Sequence, residues 1–129
     1  MITEDYVSFE IAKLLKEKGF DEGCSFIVNT ISKGVMPVSW PTTNSDIEDE
    51  KACLIALPTL QMAMKWLREV HGVHVVPKFD FYSGDYTGRI YDGRKETASE
   101  RDDYIAIAGH KTYNEAAEAA IKYCLENLI

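Results

Sequence analysis

The strongest structural signal in the chain lies in residues 58–79, whose sequence is PTLQMAMKWLREVHGVHVVPKF. Its first part predicts a helix over 59–71, because apolar side chains recur there at helical spacing over most of the circumference. Pro58 and Gly72 bracket this helix at positions that favour a start and an end. The β-branched run 73–79 then predicts a strand. A helix apolar on most sides packs against several neighbours, so this segment is expected at the centre of the core.

The residues that follow predict two more strands and a closing helix. Residues 86–91 and 104–108 are rich in β-branched and aromatic side chains, and the charged stretch 92–103 between them is expected to be a loop. Thr112 and Glu115 have the spacing of a capping box, which predicts a helix from there to the chain end. The C-terminal half is therefore predicted as helix, strand, strand, strand, helix.

The first half of the chain predicts one helix and two strands, followed by an apolar run that is either a buried strand or the approach to the next helix. These elements are expected at residues 4–18, 24–28, 35–40 and 52–57. Thr3 is the expected N-cap of the helix. Pro37 lacks an amide hydrogen, so the strand that contains it is predicted at a sheet edge. The polar and acidic residues 41–51 form a long loop, which is the candidate seam if the chain divides.

The predicted elements and the composition together indicate a single α+β domain spanning residues 1–129. We expect a mixed or antiparallel sheet with about three helices packed mainly on one face. The chain is 46% hydrophobic and 27% charged, which is close to the average of globular proteins. No apolar run approaches the ~20 residues that cross a bilayer. Because the acidic N-terminus also lacks the features of a secretory signal, we expect a cytoplasmic protein without membrane association.

The charge balance and the cysteines narrow the class of partner. With 14 Lys+Arg against 21 Asp+Glu, the net charge is −7, which disfavours nucleic-acid binding driven by counterion release. An acidic surface serves solubility or steering toward a basic partner. Cys24, Cys53 and Cys124 lack the Cys-x-x-Cys spacing of zinc and redox sites. They are expected to be buried, reduced thiols, and no cofactor is predicted.

Catalytic motifs are missing from the sequence. It contains no phosphate-binding glycine loop, no Gly-x-Ser-x-Gly elbow and no His-Glu-x-x-His. We therefore assign no catalytic residue, and enzymatic activity is left open but not favoured. His71, His74 and Asp80 are weak metal candidates, and the acidic run 46–50 lacks the alternating ligands and the glycine of a calcium loop. Gly72 breaks the helix between the two histidines, and the ligand set is incomplete, so no metal site is predicted.

Aromatic residues next to glycine or proline are the first candidates for binding. Tyr82 and Tyr86 flank the glycine of DFYSGDY (80–86), and Trp40 precedes a proline. Such side chains are typical interface anchors or stacking platforms, whereas cross-strand packing within a hairpin is the structural alternative. A second group consists of basic residues that could contact nucleic acid: Lys78, Arg89, Arg94, Lys95 and Lys111.

The order of elements, closing on GHKTYNEAAEAA (109–120), resembles the double-stranded-RNA-binding domain over about residues 58–129. In that family a glycine, a small hydroxyl residue and an alanine-rich helix follow the third strand. The resemblance implies a fold of helix, three strands and helix. The family's helix opens with several lysines that grip phosphates. Here Lys111 is followed by Glu115 and Glu118, so the RNA-binding activity is not expected to carry over.

Two further resemblances bear on function. Residues 102–129, with Tyr113, Glu115, Ala116 and Ala120, resemble the end of HicB-type antitoxins, which are small proteins that work by binding a toxin. The chain as a whole looks like uncharacterised small proteins of prophages and mobile elements, which implies a bacterial or phage-related accessory protein. We therefore hypothesise a non-enzymatic interaction module that binds a protein partner or itself. The alternatives are a nucleic-acid binder on an RNA-binding-domain-like scaffold and a small metal-dependent enzyme.

Overall fold

A computed structural model describes residues 2–47 and 53–129. In these residues the element order is α1 Phe9–Glu17, β1 Cys24–Asn29, β2 Val35–Thr42, β3 Leu54–Leu57, α2 Leu60–His71, β4 Val73–Asp80, β5 Asp85–Asp92, α3 Ala98–Asp102, β6 Tyr104–His110 and α4 Tyr113–Asn127. The predicted α+β class is confirmed, and all strand pairs are antiparallel. No helix in the described ranges has the length and apolar character to cross a membrane.

The chain divides into two compact units, residues 1–59 and 60–129, and each is described here by itself. The boundary follows β3 and directly precedes α2. The prediction of one domain over 1–129 stays a prediction. The predicted seam at 41–51 includes residues 48–51, which lie outside the described part of the chain.

The N-terminal unit is a three-stranded sheet with one helix packed against it. The strand order is β2-β1-β3, and α1 packs on β3. Since β2 is an edge strand, the position predicted from Pro37 is confirmed. The core consists of fully or nearly fully buried apolar side chains, among them Ile11, Leu15, Phe20, Val28, Ile55 and Leu57.

Helix α1 begins later than the sequence pattern predicted. The N-cap is Ser8, whose hydroxyl accepts a hydrogen bond from the Ile11 amide at 3.3 Å, and not Thr3. The preceding backbone is extended, because the Val7 amide donates to the Pro58 carbonyl at 3.0 Å. Because Pro58 is distant in the sequence, the local helical period could not show that residues 4–7 are not part of the helix.

The loop after β2 is tied into the N-terminal unit through Asn44. Its side-chain amide donates to the Phe20 carbonyl at 2.8 Å, and its oxygen accepts from the Ala56 amide at 2.9 Å. The neighbouring Ser45 amide donates to the Asp21 carboxylate at 2.7 Å and thereby lowers the pKa of Asp21. This loop therefore bridges the residues after α1 and strand β3.

The C-terminal unit has the predicted order of helix, three strands and helix. Its sheet order is β4-β5-β6; α4 packs against all three strands, and α2 packs against β4 and α4. One addition lies in the segment 92–103, which we expected to be a loop throughout. It contains the short helix α3, which begins with a complete capping box formed by Thr97 and Glu100. The sequence pattern did not predict α3, because this charged stretch has no periodic apolar residues and only the capping motif marks the helix.

Helix α4 lies very close to β5 because the contact residues are small. A Cβ atom added to Gly88 would lie 2.7 Å from the Ala116 carbonyl oxygen and 2.8 Å from the Ala120 Cβ. The predicted cap at Thr112 is present, since its hydroxyl accepts from the Glu115 amide at 3.1 Å. The Glu115 carboxylate, however, accepts from the Lys111 amide instead of closing the box on Thr112.

Candidate functional site

The turn between β4 and β5 is held by a network of backbone hydrogen bonds. The Asp80 carboxylate accepts from the amides of Tyr82 at 2.9 Å and Ser83 at 3.4 Å. The Gly84 amide donates to the Asp80 carbonyl at 2.8 Å, and Gly84 has φ +76°, a conformation that glycine adopts without strain. The backbone of the turn is thus fixed, while its first two side chains project outward.

Aromatic side chains at this turn are strongly exposed. Phe81 is 73% and Tyr82 is 91% exposed, and their ring centroids are 4.5 Å apart. Phe79 is 49% exposed and packs against Tyr86 with centroids 5.2 Å apart. Leaving contiguous aromatic surface in water is unfavourable, and such patches mark interaction sites more often than isolated exposed side chains do.

Phe79, Phe81 and Tyr82 border a cavity of about 220 Å³ that we call the hairpin groove. It is lined by Lys78, Phe79, Asp80, Phe81, Tyr82, Thr87 and Arg89. Lys78 and Thr87 are cross-strand partners in β4 and β5. Lys78 and Arg89 both lie on the sheet face opposite α4, because they alternate with the residues that meet the helix. The groove therefore combines two cations and the Asp80 carboxylate with an aromatic rim.

Arg89 is held in place by aromatic neighbours. Its guanidinium lies 4.3 Å from the centre of the Tyr104 ring, and one of its nitrogens donates to the Tyr91 hydroxyl at 3.4 Å. The hydrogen bond to Tyr91 is the main reason that the pKa of Arg89 is raised. These contacts orient the side chain before any partner arrives, which lowers the entropy cost of binding.

The structure brings together only some of the predicted binding residues. Tyr82 and Arg89 both line the hairpin groove. Tyr86 does not line it; its ring is half-buried between Phe79 and Tyr113, with centroids 5.2 and 6.3 Å away. This is the cross-strand and sheet-to-helix packing that the sequence offered as the alternative.

The remaining basic candidates do not line the groove. Arg94 makes a bidentate contact with the Asp92 carboxylate at 2.8 and 3.1 Å and also donates to the Leu128 carbonyl. Its hydrogen bonds lower the pKa of Asp92, so the two charges compensate each other. Lys95 lies in the same loop, and Lys111 precedes α4 beside Glu115.

Trp40 belongs to a different sheet from the groove. It lies on β2 in the N-terminal unit and is 74% exposed. The pairing of β1 with β2 is irregular here, since Phe26 pairs with Pro37 while Cys24 pairs with Thr42. Trp40 is therefore on an irregular, solvent-exposed part of an edge strand.

The three metal candidates are not assembled into a site. His71 ends α2 with its ring 4.6 Å from Trp66, and its buried Nε2 atom has no hydrogen-bond partner among the residues that the structure describes. His74 and Asp80 lie near opposite ends of β4, about 20 Å apart at the usual rise of a strand. Throughout residues 2–47 and 53–129, no group of three or more His, Cys, Asp or Glu side chains could hold a metal ion.

Sequence reasoning missed two aromatic members of the groove, Phe79 and Phe81. The available signal was their position at the end of a strand and directly before Tyr82 and Gly84. Strand alternation alone could not show that the sheet and α4 leave both rings exposed.

The site thus belongs to an antiparallel sheet flanked by two main helices, with an aromatic and cationic groove at one hairpin. No protein-family model matches the chain, and no curated protein or solved structure matches it.

Proposed function

We propose that the protein is a non-enzymatic interaction module that binds a peptide segment of a partner protein in the hairpin groove. The observation that carries the proposal is the exposed pair Phe81 and Tyr82 beside the oriented cation Arg89. Aromatic residues and arginine dominate the binding energy of protein interfaces. The fitting partner segment carries an acidic side chain for the cations and an apolar or aromatic side chain for the rim.

The arrangement supports a peptide better than it supports nucleic acid. Aromatic rings with cations also bind single strands, but such sites depend on a cationic track along the backbone. Here Arg94 is engaged by Asp92, and the whole chain carries −7. Because the Asp80 carboxylate offsets one of the two cations, the groove matches a single acidic side chain rather than a phosphate chain.

A cytoplasmic location and a bacterial, phage-related origin are also part of this proposal. Cys24, Cys53 and Cys124 are all thiols in the structure, and two of them are buried. Thiols without disulfides are typical of a reducing compartment. The phage-related origin is supported by the resemblance of the sequence alone.

The proposal can be tested by selecting ligands from a displayed random-peptide library on the full chain. We expect enrichment of peptides that combine Asp or Glu with aromatic residues, with dissociation constants on the order of 10 µM by calorimetry. The double variant Phe81→Ser with Tyr82→Ser should weaken the selected peptides about tenfold or more, because it removes both exposed anchors.

Trp40→Ser is the matched control, because it removes an equally exposed aromatic residue from another sheet. It should leave peptide binding unchanged. Arg89→Gln should weaken binding and reduce its salt dependence. Failure of any peptide to be enriched, or equal losses in the groove and control variants, would refute the proposal. Tight binding of a single-stranded oligonucleotide in place of peptides would favour the nucleic-acid alternative.

A further inference from the structure

Strand β6 has an edge that carries none of the charged or proline residues that usually discourage strand pairing. In the order β4-β5-β6 it is hydrogen-bonded to β5 on one side only. Its sequence, YIAIAGH, contains no proline, lysine, arginine, aspartate or glutamate. Natural edge strands normally carry such residues, because an unprotected edge is a template for another strand.

The other long edge strands of the protein are protected in this way. Strand β4, at the opposite edge of the same sheet, carries Pro77, Lys78 and Asp80. Strand β2 carries Pro37 and Pro41, and β3, the other edge of that sheet, has only four residues, which is itself a form of protection. The contrast within one chain indicates that the β6 edge is reserved for an intermolecular contact.

We infer that two copies of the chain associate through antiparallel pairing of β6 with β6, which joins their C-terminal sheets into one six-stranded sheet. This interaction is separate from the hairpin groove and does not depend on the proposed function. A second copy fits this edge because an antiparallel pair of identical strands is self-complementary about a two-fold axis. Because the whole chain carries −7, two copies need a contact region without like charges, and β6 provides one.

The geometry of β6 sets the register of the pairing. The pairing of β5 with β6 is irregular between Ile107 and His110, and Gly109 has φ +83°. The regularly extended part of the strand is therefore Tyr104–Ala108. Its centre is Ala106, which therefore lies opposite Ala106 of the second copy. This register places Ile105 of each copy opposite Ile107 of the other. Odd-numbered residues thus pair with odd-numbered residues, so the α4 sides of both sheets lie on the same face of the joined sheet. A short contact of this kind is expected to be weak, with a dissociation constant on the order of 10 µM.

The neighbourhood of Arg89 supplies a matched pair of test variants. Arg89 on the central strand pairs with Ala106 on β6 and with Val76 on β4. Both of these residues are exposed. A glutamate at either position would therefore lie beside Arg89 in the same chain, and both substitutions change the net charge by the same amount. Only Ala106→Glu places two carboxylates opposite each other in the dimer, where like charges are destabilising.

Sedimentation equilibrium of the full chain from about 1 to about 500 µM tests the inference. The wild type should pass from the 14.6 kDa monomer to twice that mass. Ala106→Glu should raise the dissociation constant about tenfold or more, whereas Val76→Glu should leave it unchanged. Mixing Ala106→Glu with Ala106→Lys should restore a dimer, because opposite charges then face each other.

A wild type that stays monomeric at the highest concentration would overturn the inference without reliance on any variant. Equal weakening by the Val76 and Ala106 substitutions would also overturn it, because a general charge effect would then explain the loss. A dimer that Ala106→Glu leaves intact would place the interface elsewhere. Circular dichroism on each variant establishes that the fold is retained.

Discussion

Replacing Gly88 with alanine tests the close packing of α4 on the sheet. The new Cβ would lie 2.7 Å from the Ala116 carbonyl oxygen and 2.8 Å from the Ala120 Cβ. Ordinary van der Waals contact begins at 3.4 Å, so the helix must move by about 0.7 Å or the strand must bend. The carbonyl belongs to the helix backbone and cannot rotate away as a flexible side chain would.

The expected cost follows from what the movement of α4 does to its buried face. The residues on this face are Ala116, Ala117, Ala120, Ile121, Cys124 and Leu125, all of them fully buried. Each dispersion contact between two heavy atoms is worth ~0.1–0.2 kcal/mol. A gap of about 0.5–1 Å removes about a quarter to a half of that energy. Summed over the face, and in line with other overpacked cores, we expect a loss of about 2–3 kcal/mol. For a unit of this size that lowers the melting temperature by about 10–20 °C.

Urea unfolding followed by tryptophan fluorescence is the suitable assay. Trp66 in α2 is 6% exposed, whereas Trp40 is 74% exposed, so the change in emission on unfolding comes mainly from Trp66 in the C-terminal unit. A Trp40→Phe background removes the remaining ambiguity. A change in stability below about 0.5 kcal/mol would refute the close approach of α4 to β5.

Two further predictions concern polar and titratable groups. Asn44→Ala should destabilise the N-terminal unit by about 2 kcal/mol in urea unfolding, because the Ala56 amide and the Phe20 carbonyl lose their hydrogen-bond partner. Ser45→Ala is the control, because it keeps the backbone hydrogen bond to Asp21, and it should change the stability little. Burial raises the pKa of Cys124 from 9.0 to about 12, so the folded state keeps this proton when the unfolded state loses it. The stability that this protonated thiol contributes is present in full below pH 9 and is lost as the pH rises toward 12. The loss amounts to ~1.4 kcal/mol at pH 10. The free energy of unfolding of Cys124→Ala should therefore decline less steeply between pH 8 and pH 10 than that of the wild type.

The outcome that contradicts each of these predictions is specific. Equal stability of Asn44→Ala and Ser45→Ala would mean that the loop after β2 is not anchored through the Asn44 side chain. An alkaline decline of the same slope with and without Cys124 would mean that this thiol ionises equally in the folded and unfolded states, contrary to its burial.

Local patterns in the sequence were sufficient for the element order of the C-terminal half. The apolar period of α2, the β-branched run of β4 and the Thr112 cap of α4 each lie within a few neighbouring residues. Such signals depend on the chemistry of adjacent side chains and need no knowledge of distant partners. The edge position of β2 was likewise predictable, because Pro37 cannot donate to a neighbouring strand on either side.

Other features depended on residues that are distant in the chain. The start of α1 is set by the hydrogen bond from Val7 to Pro58, and the loop after β2 is fixed through the contacts of Asn44. Of the predicted cations, Arg94 is engaged by Asp92 and by the end of α4, whereas Arg89 is oriented by Tyr104. The sequence alone presented both as equivalent basic residues.

Composition and local periodicity therefore established an α+β chain, its strand-forming segments and the absence of recognisable catalytic motifs. The exposure of Phe81 and Tyr82 and the open edge of β6 came from the way the strands are ordered and covered. The physical reason is that propensity and period act over a few residues, whereas exposure and edge position depend on which distant segment packs alongside. A functional surface is what that packing leaves uncovered, and so it became visible only in the folded chain.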